Sequence, residues 1–221
     1  DGMFVFESPV KDTDSDEIIS KMVGREFKNV YPPRNEVLSS DIKLELKNVS
    51  IGDLVKSVSL QVPRGAVIGI GGLEGQGQRH LSRGLFGIEP FTSGEYVING
   101  QAKKIASPGD AVRNKIAFVS DDRKAEGLFL DLSCGENILS LSYRRNSRWG
   151  FVKKKQADRE ILEGIRQMNI KLDDQRQAVK SLSGGNQQKI VFSKWIKTNP
   201  QILILHEPTR GIDVQSKLEI Y

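Results

Sequence analysis

The chain has 221 residues, which is enough for one α/β domain with an appendage and a sizeable hydrophobic core. Its formal net charge is +5, and the basic run 153–155 lies in a polar stretch typical of a solvated face, so the composition does not favour a nucleic-acid site. The single cysteine, Cys134, excludes an internal disulfide and fits a reducing compartment. No apolar run approaches the roughly 18 residues of a membrane span and no signal-peptide pattern is present, so any membrane connection is expected to come through a partner.

The first 38 residues differ in character from the rest. Residues 13–24 predict a short capped helix that ends at a glycine, and residues 29–39, which contain two prolines, predict a linker. We therefore expect two parts, residues 1–38 and a larger domain over residues 39–221.

The larger domain is expected to open with an antiparallel layer. Apolar residues alternate over residues 42–46 and again over residues 58–62, which is the period of half-buried strands. The next apolar run, residues 66–70, predicts a buried strand that leads into a glycine loop at residues 72–77. A helix should follow this loop and carry three apolar side chains: Leu81, Leu85 and Phe86.

Further strands and a helical region follow. Residues 96–98 and 116–119 predict two short strands, and the pattern turns helical from about residue 128 to residue 182. One face of this helical region is predicted to be apolar: Ile161, Leu162, Ile165 and Met168. The region is therefore expected to form a helical subdomain inserted before residue 183.

The most specific pattern begins at the turn Ser183-Gly184-Gly185-Asn186, which we name the signature turn. Its glycines leave backbone N–H groups uncovered at a helix start, where the helix dipole favours a phosphate. The following helix should place four side chains on the core: Ile190, Val191, Trp195 and Ile196.

A short strand should follow this helix. Residues 202–205 are all apolar, as in strands buried in parallel sheets. Glu207 comes directly after them, at the carboxyl end of the predicted strand, where α/β folds place their chemistry.

Together, the LSGGNQQK element and the ILIL-x-EPT strand match the signature motif and the Walker B strand of ATP-binding cassette (ABC) ATPases. With KMVGRE, GLEGQGQ and FVSDDRKAEGLF, the whole chain resembles the second half of tandem ABC ATPases that power bacterial uptake of ribose, galactose, xylose and related solutes. The DDRKAEGL element distinguishes the sugar-importer second halves from most other ABC cassettes, which carry a glutamine loop at this place.

The resemblance implies an α/β fold: a P-loop NTPase-like cassette with an antiparallel β edge layer and an inserted helical subdomain. Residues 1–38 would be the tail of a preceding cassette plus a linker. Residues 39–221 would be the second cassette, incomplete at its C-terminal end because the family's final strand and switch histidine lie further on.

The same resemblance predicts a degenerate ATP site. A Walker A loop reads G-x-x-x-x-G-K-[ST], with the lysine on the β- and γ-phosphates and the hydroxyl on Mg²⁺. Gly72, Gly75 and Gly77 remain, so the backbone can still cradle a phosphate, but Gln78 stands at the lysine position and Arg79 at the hydroxyl position. A neutral amide cannot supply the lysine's charge to the phosphoryl oxygens.

Other positions of this site depart in the same direction. His206 replaces the Walker B aspartate and is a poor ligand for Mg²⁺, and Asp121 replaces the glutamine of the usual loop. No aromatic residue lies between Ile42 and Leu60, where the family places its adenine-stacking side chain. Glu207 keeps the position of the catalytic base. We expect no metal to be held by this chain, hydrolysis to be lost here, and ATP with Mg²⁺ to act mainly at the partner cassette.

The signature turn, in contrast, is intact. In ABC dimers each signature completes the ATP site of the opposite cassette, so this turn would contact ATP held by the first cassette. The resemblance thus implies an ATPase subunit of a carbohydrate importer, peripheral to the cytoplasmic face of the membrane. Its partners would be its own first cassette, permease subunits contacted through the helical lobe and the charged loop and, indirectly, a sugar-binding protein, with no nucleic acid.

Two other interpretations stay open at this point. A non-transport ABC protein acting on ribosomes or nucleic acid is allowed by the mild basicity, although zinc-type cysteine pairs and a long charged arm are missing from the sequence. A non-catalytic regulatory nucleotide-binding module is allowed by the degenerate site. An intact first cassette encoded beside a permease and a binding protein would select the importer.

Overall fold

The computed structural model describes residues 4–14, 17–18, 21, 39–143, 147–148 and 151–221. The strands in these ranges are β1 (Ile42–Ile51), β2 (Val55–Pro63), β3 (Ser93–Ile98), β4 (Gln101–Ala102), β5 (Ile116–Val119), β6 (Ser147–Arg148), β7 (Phe151–Val152) and β8 (Ile202–Leu205). The α-helices are α1 (Gln78–Leu85), α2 (Pro108–Arg113), α3 (Cys134–Leu139), α4 (Lys154–Gln167), α5 (Gly184–Ile196) and α6 (Val214–Ile220). Short 3-10 turns lie at Val10–Asp12 and Val179–Ser181, and a π-helical turn at Arg123–Gly127.

These ranges limit what can be compared with the sequence-based predictions. The helix predicted over residues 13–24 and the linker predicted over residues 29–39 lie largely outside the described residues. Within the described ranges, no helix has both the length and the apolar character that crossing a membrane requires.

The predicted antiparallel layer is confirmed. Four strands pair in the order β2-β1-β3-β4, and Leu46 of β1 lies opposite Leu60 of β2 and Tyr96 of β3. The alternation read from the sequence therefore corresponds to one face of this layer, where Leu44 and Leu46 are buried.

Aromatic contacts join α1 to β5 and α5 in the core. The ring of Phe86, just after α1, stacks on Phe118 of β5 at 5.3 Å and meets Trp195 of α5 edge-on at 5.4 Å. Such pairs stabilise by about 0.5–1.5 kcal/mol beyond their buried area. They also fix the helix that follows the glycine loop relative to the helix that follows the signature turn.

A parallel pair of strands positions the candidate site. β5 and β8 run side by side, with Ile116 opposite Ile202 and Val119 opposite Leu205. The backbone N–H of His206 continues the ladder by donating to Val119 O at 2.9 Å. Residues after β5 and after β8 consequently emerge at the same edge, the carboxyl edge of the parallel pair.

The strand predicted over residues 66–70 is wrong. This segment has no strand hydrogen bonds, and Val67 is 98% exposed. It lines a cavity together with β8, whose Leu203 and Leu205 are also exposed rather than buried. An apolar run indicates that a segment can be buried. To form a strand, the segment must also hydrogen-bond to a neighbouring strand, and the local pattern does not specify one.

The helical region is confirmed in part. It contains α3 and α4, but also the antiparallel pair of β6 and β7, which the periodicity did not predict. On α4, Ile161 is buried as predicted, whereas Leu162 is 53% exposed. Adjacent helical residues point about 100° apart, so Leu162 lies off the stripe that faces the core.

A buried lysine holds the π-helical turn to α5 and makes the stability depend on pH. The ammonium of Lys194, which is 6% exposed, donates to Gly127 O, and burial lowers the pKa of Lys194 from 10.5 to about 8. Between these two pH values the unfolded chain binds more protons, so this residue's contribution to the free energy of unfolding rises with pH.

We predict that the wild-type chain and Lys194→Met differ in pH dependence, because methionine keeps the packing and removes the titrating group. The difference in their free energies of unfolding should change by about 2–3 kcal/mol between pH 7.5 and pH 10.5, in favour of the wild type at high pH. Urea unfolding across this range provides the measurement. Parallel curves for the two proteins would contradict the prediction.

Candidate functional site

The glycine loop is closed by its own side chains. Gly75 and Gly77 adopt φ values of +86° and +98°, and α1 begins immediately afterwards at Gln78. The Gln78 side-chain amide donates to Leu73 O at 3.1 Å, and a Cβ added at Gly72 would lie 2.0 Å from that amide nitrogen. The amide therefore fills the middle of the loop, and the residue at the lysine position is bonded to the loop itself.

At the carboxyl edge of the parallel pair, Asp121 is surrounded by basic side chains. Its side chain is 9% exposed; Oδ1 lies 3.2 Å from His206 Nδ1, and Oδ2 accepts from the Arg210 guanidinium at 3.2 Å. Burial by itself would raise the pKa of Asp121, but His206 and Arg79 outweigh it and lower the pKa below the usual value. Asp121 and His206, which are predicted at the Q-loop and Walker B aspartate positions, thus contact each other directly.

This arrangement does not suit Mg²⁺. The ion prefers several hard oxygen ligands, whereas both oxygens of the Asp121 carboxylate already face His206 or Arg210. Across the ranges that the structure describes, no group of three or more His, Cys, Asp or Glu side chains is placed to hold a metal ion.

Glu207 lies beside this cluster with an unusual backbone. Its φ of +43° is in the left-handed region, which is uncommon for a residue other than glycine and is found at turns and functional sites. Its side chain is 60% exposed, and its Oε2 lies 3.9 Å from Arg210 Nε. Arg210 therefore faces both Asp121 and Glu207, and the Glu207 carboxylate is accessible to solvent.

Two clefts are lined by these residues. One, of about 400 Å³, is lined by Arg79, Asp121, Asp122, Arg123, Lys124, Arg210 and Gly211. The other, of about 410 Å³, is lined by both Gln78 and His206. The structure thus brings together four residues predicted for the nucleotide site: Gln78, Arg79, Asp121 and His206.

The signature turn is a formed helix start that lines neither cleft. The Ser183 hydroxyl caps α5 by accepting from the backbone N–H of Asn186, and the Asn186 side-chain amide also donates to it at 3.1 Å. Asn186 Oδ1 accepts from the backbone N–H of Lys171 at 2.8 Å, which ties the turn to the end of the helical region.

Two arginines in the sequence motifs were not predicted to have a function. Arg210 follows Glu207 in the EPTRG element and pairs with Asp121, and Arg123 lies in the DDRK element and bonds the loop after β8. The sequence does show an arginine close to each predicted acidic residue, and this could have indicated that the arginines belong to the site. The pairing of Arg210 with Asp121, 89 residues away, depends on the β5–β8 register.

The sequence matches a known family over most of its length. Residues 55–210 match the ABC transporter family. The chain is 45% identical over 222 residues to the ribose import ATP-binding protein RbsA of Bacillus cereus (strain ATCC 14579) and 40% identical to the protein of that name from Clostridium perfringens (strain 13). In both cases all of this chain is covered, and it spans 44% of the relative's length.

Solved structures show the same fold at lower identity. An ADP- and phosphate-bound dimer of the ATP-binding cassette MJ0796 aligns with a TM-score of 0.65 at 22% identity, covering 80% of this chain and 79% of that one. CbiO1 of Clostridium perfringens, part of the transporter complex cbiONQ, aligns with a TM-score of 0.64 at 20% identity, covering 82% and 71%. The chain therefore belongs to the ABC transporter family, and its fold is that of an α/β ATP-binding cassette.

Proposed function

We propose that this chain is an ATP-binding cassette of a carbohydrate importer, in which its own ATP site is degenerate and its signature turn completes the ATP site of another cassette. The observation that carries the proposal is the Asp121 cluster. Two positions that serve metal and water in a working site are occupied here by a carboxylate and an imidazole that contact each other, at 3.2 Å.

The glycine loop supports the first half of the proposal. Catalysis of phosphoryl transfer depends on cations placed at the developing charge of the γ-phosphate. Gln78 is neutral and bonded to Leu73 O, and Arg79 is exposed at the start of α1. The loop can offer backbone N–H groups to a phosphate, but none of the residues described here replaces the lysine in position and charge.

The signature turn supports the second half. It has the cap, the two glycines and the helix start that favour an anion, and it lines neither cleft of this chain's own site. In a tandem protein the first cassette would bind ATP with Mg²⁺, and the ATP would supply the electrophilic phosphoryl group. Ser183 and the N–H groups of the turn would orient its γ-phosphate, and Glu207 stays at the catalytic-base position of the degenerate site.

A groove supports the proposed membrane partner. It has a volume of about 650 Å³ and lies between the π-helical turn, α2 and the helical lobe. Its walls are apolar at Phe86, Phe129 and Trp195, and Arg113 is its exposed basic group. We assign this groove to a cytoplasmic segment of the permease with an apolar face and an acidic side chain. The protein would then act at the cytoplasmic face of the membrane, with a sugar-binding protein as an indirect partner.

The importer function is tested by uptake. Deleting the coding region for residues 39–221 from the gene should abolish accumulation of labelled ribose or another carbohydrate, and the restored gene should recover it. Unchanged uptake of a panel of pentoses, hexoses and nucleosides, together with a defect in translation, would favour the non-transport alternative. Unchanged uptake with altered transport regulation would favour the regulatory module.

Nucleotide binding to this chain should depend only weakly on Mg²⁺, because Asp121 is engaged by His206 and Arg210 and no hydroxyl stands at position 79. Any affinity would rest on the backbone of residues 72–77 and the start of α1. Calorimetric titration of the chain with ATP should give dissociation constants that agree within about threefold with Mg²⁺ and with a chelator. A loss of affinity of tenfold or more on chelation would mean that a metal is bound here.

A further inference from the structure

Arg123 makes contacts that the proposed function has not used. It begins the π-helical turn Arg123–Gly127, which Asp122 caps by accepting from the backbone N–H groups of Lys124 and Ala125. The backbone at residue 123 is therefore held in place, and its side chain starts from a defined position beside the cleft.

The guanidinium of Arg123 donates to two separate segments. Nη1 donates to Arg210 O at 2.9 Å and Nη2 to Gly211 O at 3.3 Å, and both carbonyls belong to the turn after β8. Nε donates to Gln187 Oε1 at 3.4 Å, in the first turn of α5. One planar group thus joins the turn after β8 to the helix that carries the signature turn.

Its partner on α5 is itself rigidly oriented. Gln187 is buried, and its amide nitrogen donates to Leu182 O at 3.1 Å and to Val179 O at 3.4 Å, which leaves its oxygen turned to Arg123. The glycine at position 184 makes room for the contact, because a Cβ there would lie 2.6 Å from Arg123 Nη2.

The two joined segments also touch each other. A Cβ added at Gly185 would lie 1.9 Å from the hydroxyl oxygen of Ser216, and Ser216 bonds Asp213, the cap of α6. The signature turn therefore lies against the segment 211–216, with Arg123 across the junction. The contact at Gly185 is only a close approach, so the hydrogen bonds of Arg123 are what orient the two segments relative to each other.

We propose that Arg123 is a positioning residue that holds the signature turn and the turn after β8 together as one unit facing the other cassette. The inference rests on the proposed function, in which the signature turn contacts ATP on that cassette. A displacement of about 1 Å at a reacting group can lower a rate about a hundredfold, so loosening this unit should affect turnover. Lysine cannot replace arginine here, because a single ammonium does not span two carbonyls and Gln187.

The test uses the full-length tandem protein in membranes with its permease. Arg123→Gln should lower kcat of ATP hydrolysis about tenfold, while KM for ATP, which is set mainly by the first cassette, stays within about threefold. Arg123→Lys should lower kcat by at least fivefold despite keeping the charge. The matched control is Arg176→Gln, which changes an exposed arginine and should have wild-type kinetics. Full activity of Arg123→Lys would overturn the positioning argument in favour of a purely electrostatic effect.

Hydrogen exchange in the same proteins reports on the contact directly. Amides in residues 183–187 and 208–213 should exchange faster in both Arg123 variants than in the wild type or in Arg176→Gln. Unchanged exchange would overturn the inference. If Arg123→Gln fails to fold, Arg123→Lys carries both measurements.

A Gly185→Val variant, measured in the same way, distinguishes a failure of this inference from a failure of the proposed function. Loss of hydrolysis in Gly185→Val with full activity in Arg123→Gln would overturn the inference and leave the proposed function intact. Full activity in Gly185→Val would remove the proposed function, and faster exchange in the Arg123 variants would then still support the structural junction.

Discussion

Replacing Gly185 with valine in the intact tandem protein should reduce transport-coupled ATP hydrolysis by about a hundredfold or more. A Cβ at this position would lie 1.9 Å from Ser216 Oγ and 2.4 Å from Ser216 Cβ, so a branched side chain must force the helix start and α6 apart. The N–H groups of the signature turn would then be held away from the γ-phosphate on the other cassette, where charge develops during transfer.

Two further variants test whether the loss is specific to the signature turn. Ser183→Ala removes an exposed hydroxyl with no steric clash and should also abolish most transport-coupled hydrolysis. Gln78→Ala should have only a small effect, because we propose that the site of Gln78 is degenerate. The measurement is solute-stimulated phosphate release from reconstituted transporter. Equal losses for Gly185→Val and Gln78→Ala would mean that the two sites are not divided as proposed, and a larger loss for Gln78→Ala would reverse the assignment.

The chain of 221 residues by itself should hydrolyse ATP no faster than the background rate. In the degenerate site that we propose, Gln78 and Arg79 stand at the lysine and hydroxyl positions, and the Asp121 carboxylate is engaged by His206 and Arg210. Enzymes of ordinary efficiency turn over about 1–10³ times per second, so the expected difference spans several orders of magnitude.

Steady-state phosphate release with Mg²⁺ in excess tests this expectation. The control is Glu207→Gln, which removes the residue at the catalytic-base position; it should match the unmodified chain, since both are at background. Turnover within the ordinary enzyme range that is lost in Glu207→Gln would show that the site is active and that His206 or Arg79 has been misinterpreted.

Short-range patterns predicted the antiparallel layer and the strands at the site. The alternation at residues 42–46 and 58–62 corresponds to β1 and β2, because one face of each strand meets the core. The apolar run at residues 202–205 is a strand, and parallel pairing with β5 carries His206 to Asp121. The sequence could name both residues because each follows an apolar strand in a recognisable motif.

The features that were missed depend on long-range geometry. Residues 66–70 have the composition of a buried strand but no paired edge, and Leu162 lies one residue away from the buried stripe of α4. Arg123 reaches Gly211 across 88 residues, through the placement of the π-helical turn beside the turn after β8. Local periodicity contains no information on such distances, so the contacts follow only from the assembled fold.

The division between the two sites can be measured most directly by locating the γ-phosphate. Orthovanadate takes the place of this phosphate when ADP is trapped, and ultraviolet light then cleaves the adjacent backbone. In the tandem protein trapped with ADP and vanadate, we expect cleavage of this cassette within residues 183–186 and an intact glycine loop at residues 72–77. Cleavage in the glycine loop, with the signature turn left intact, would contradict it.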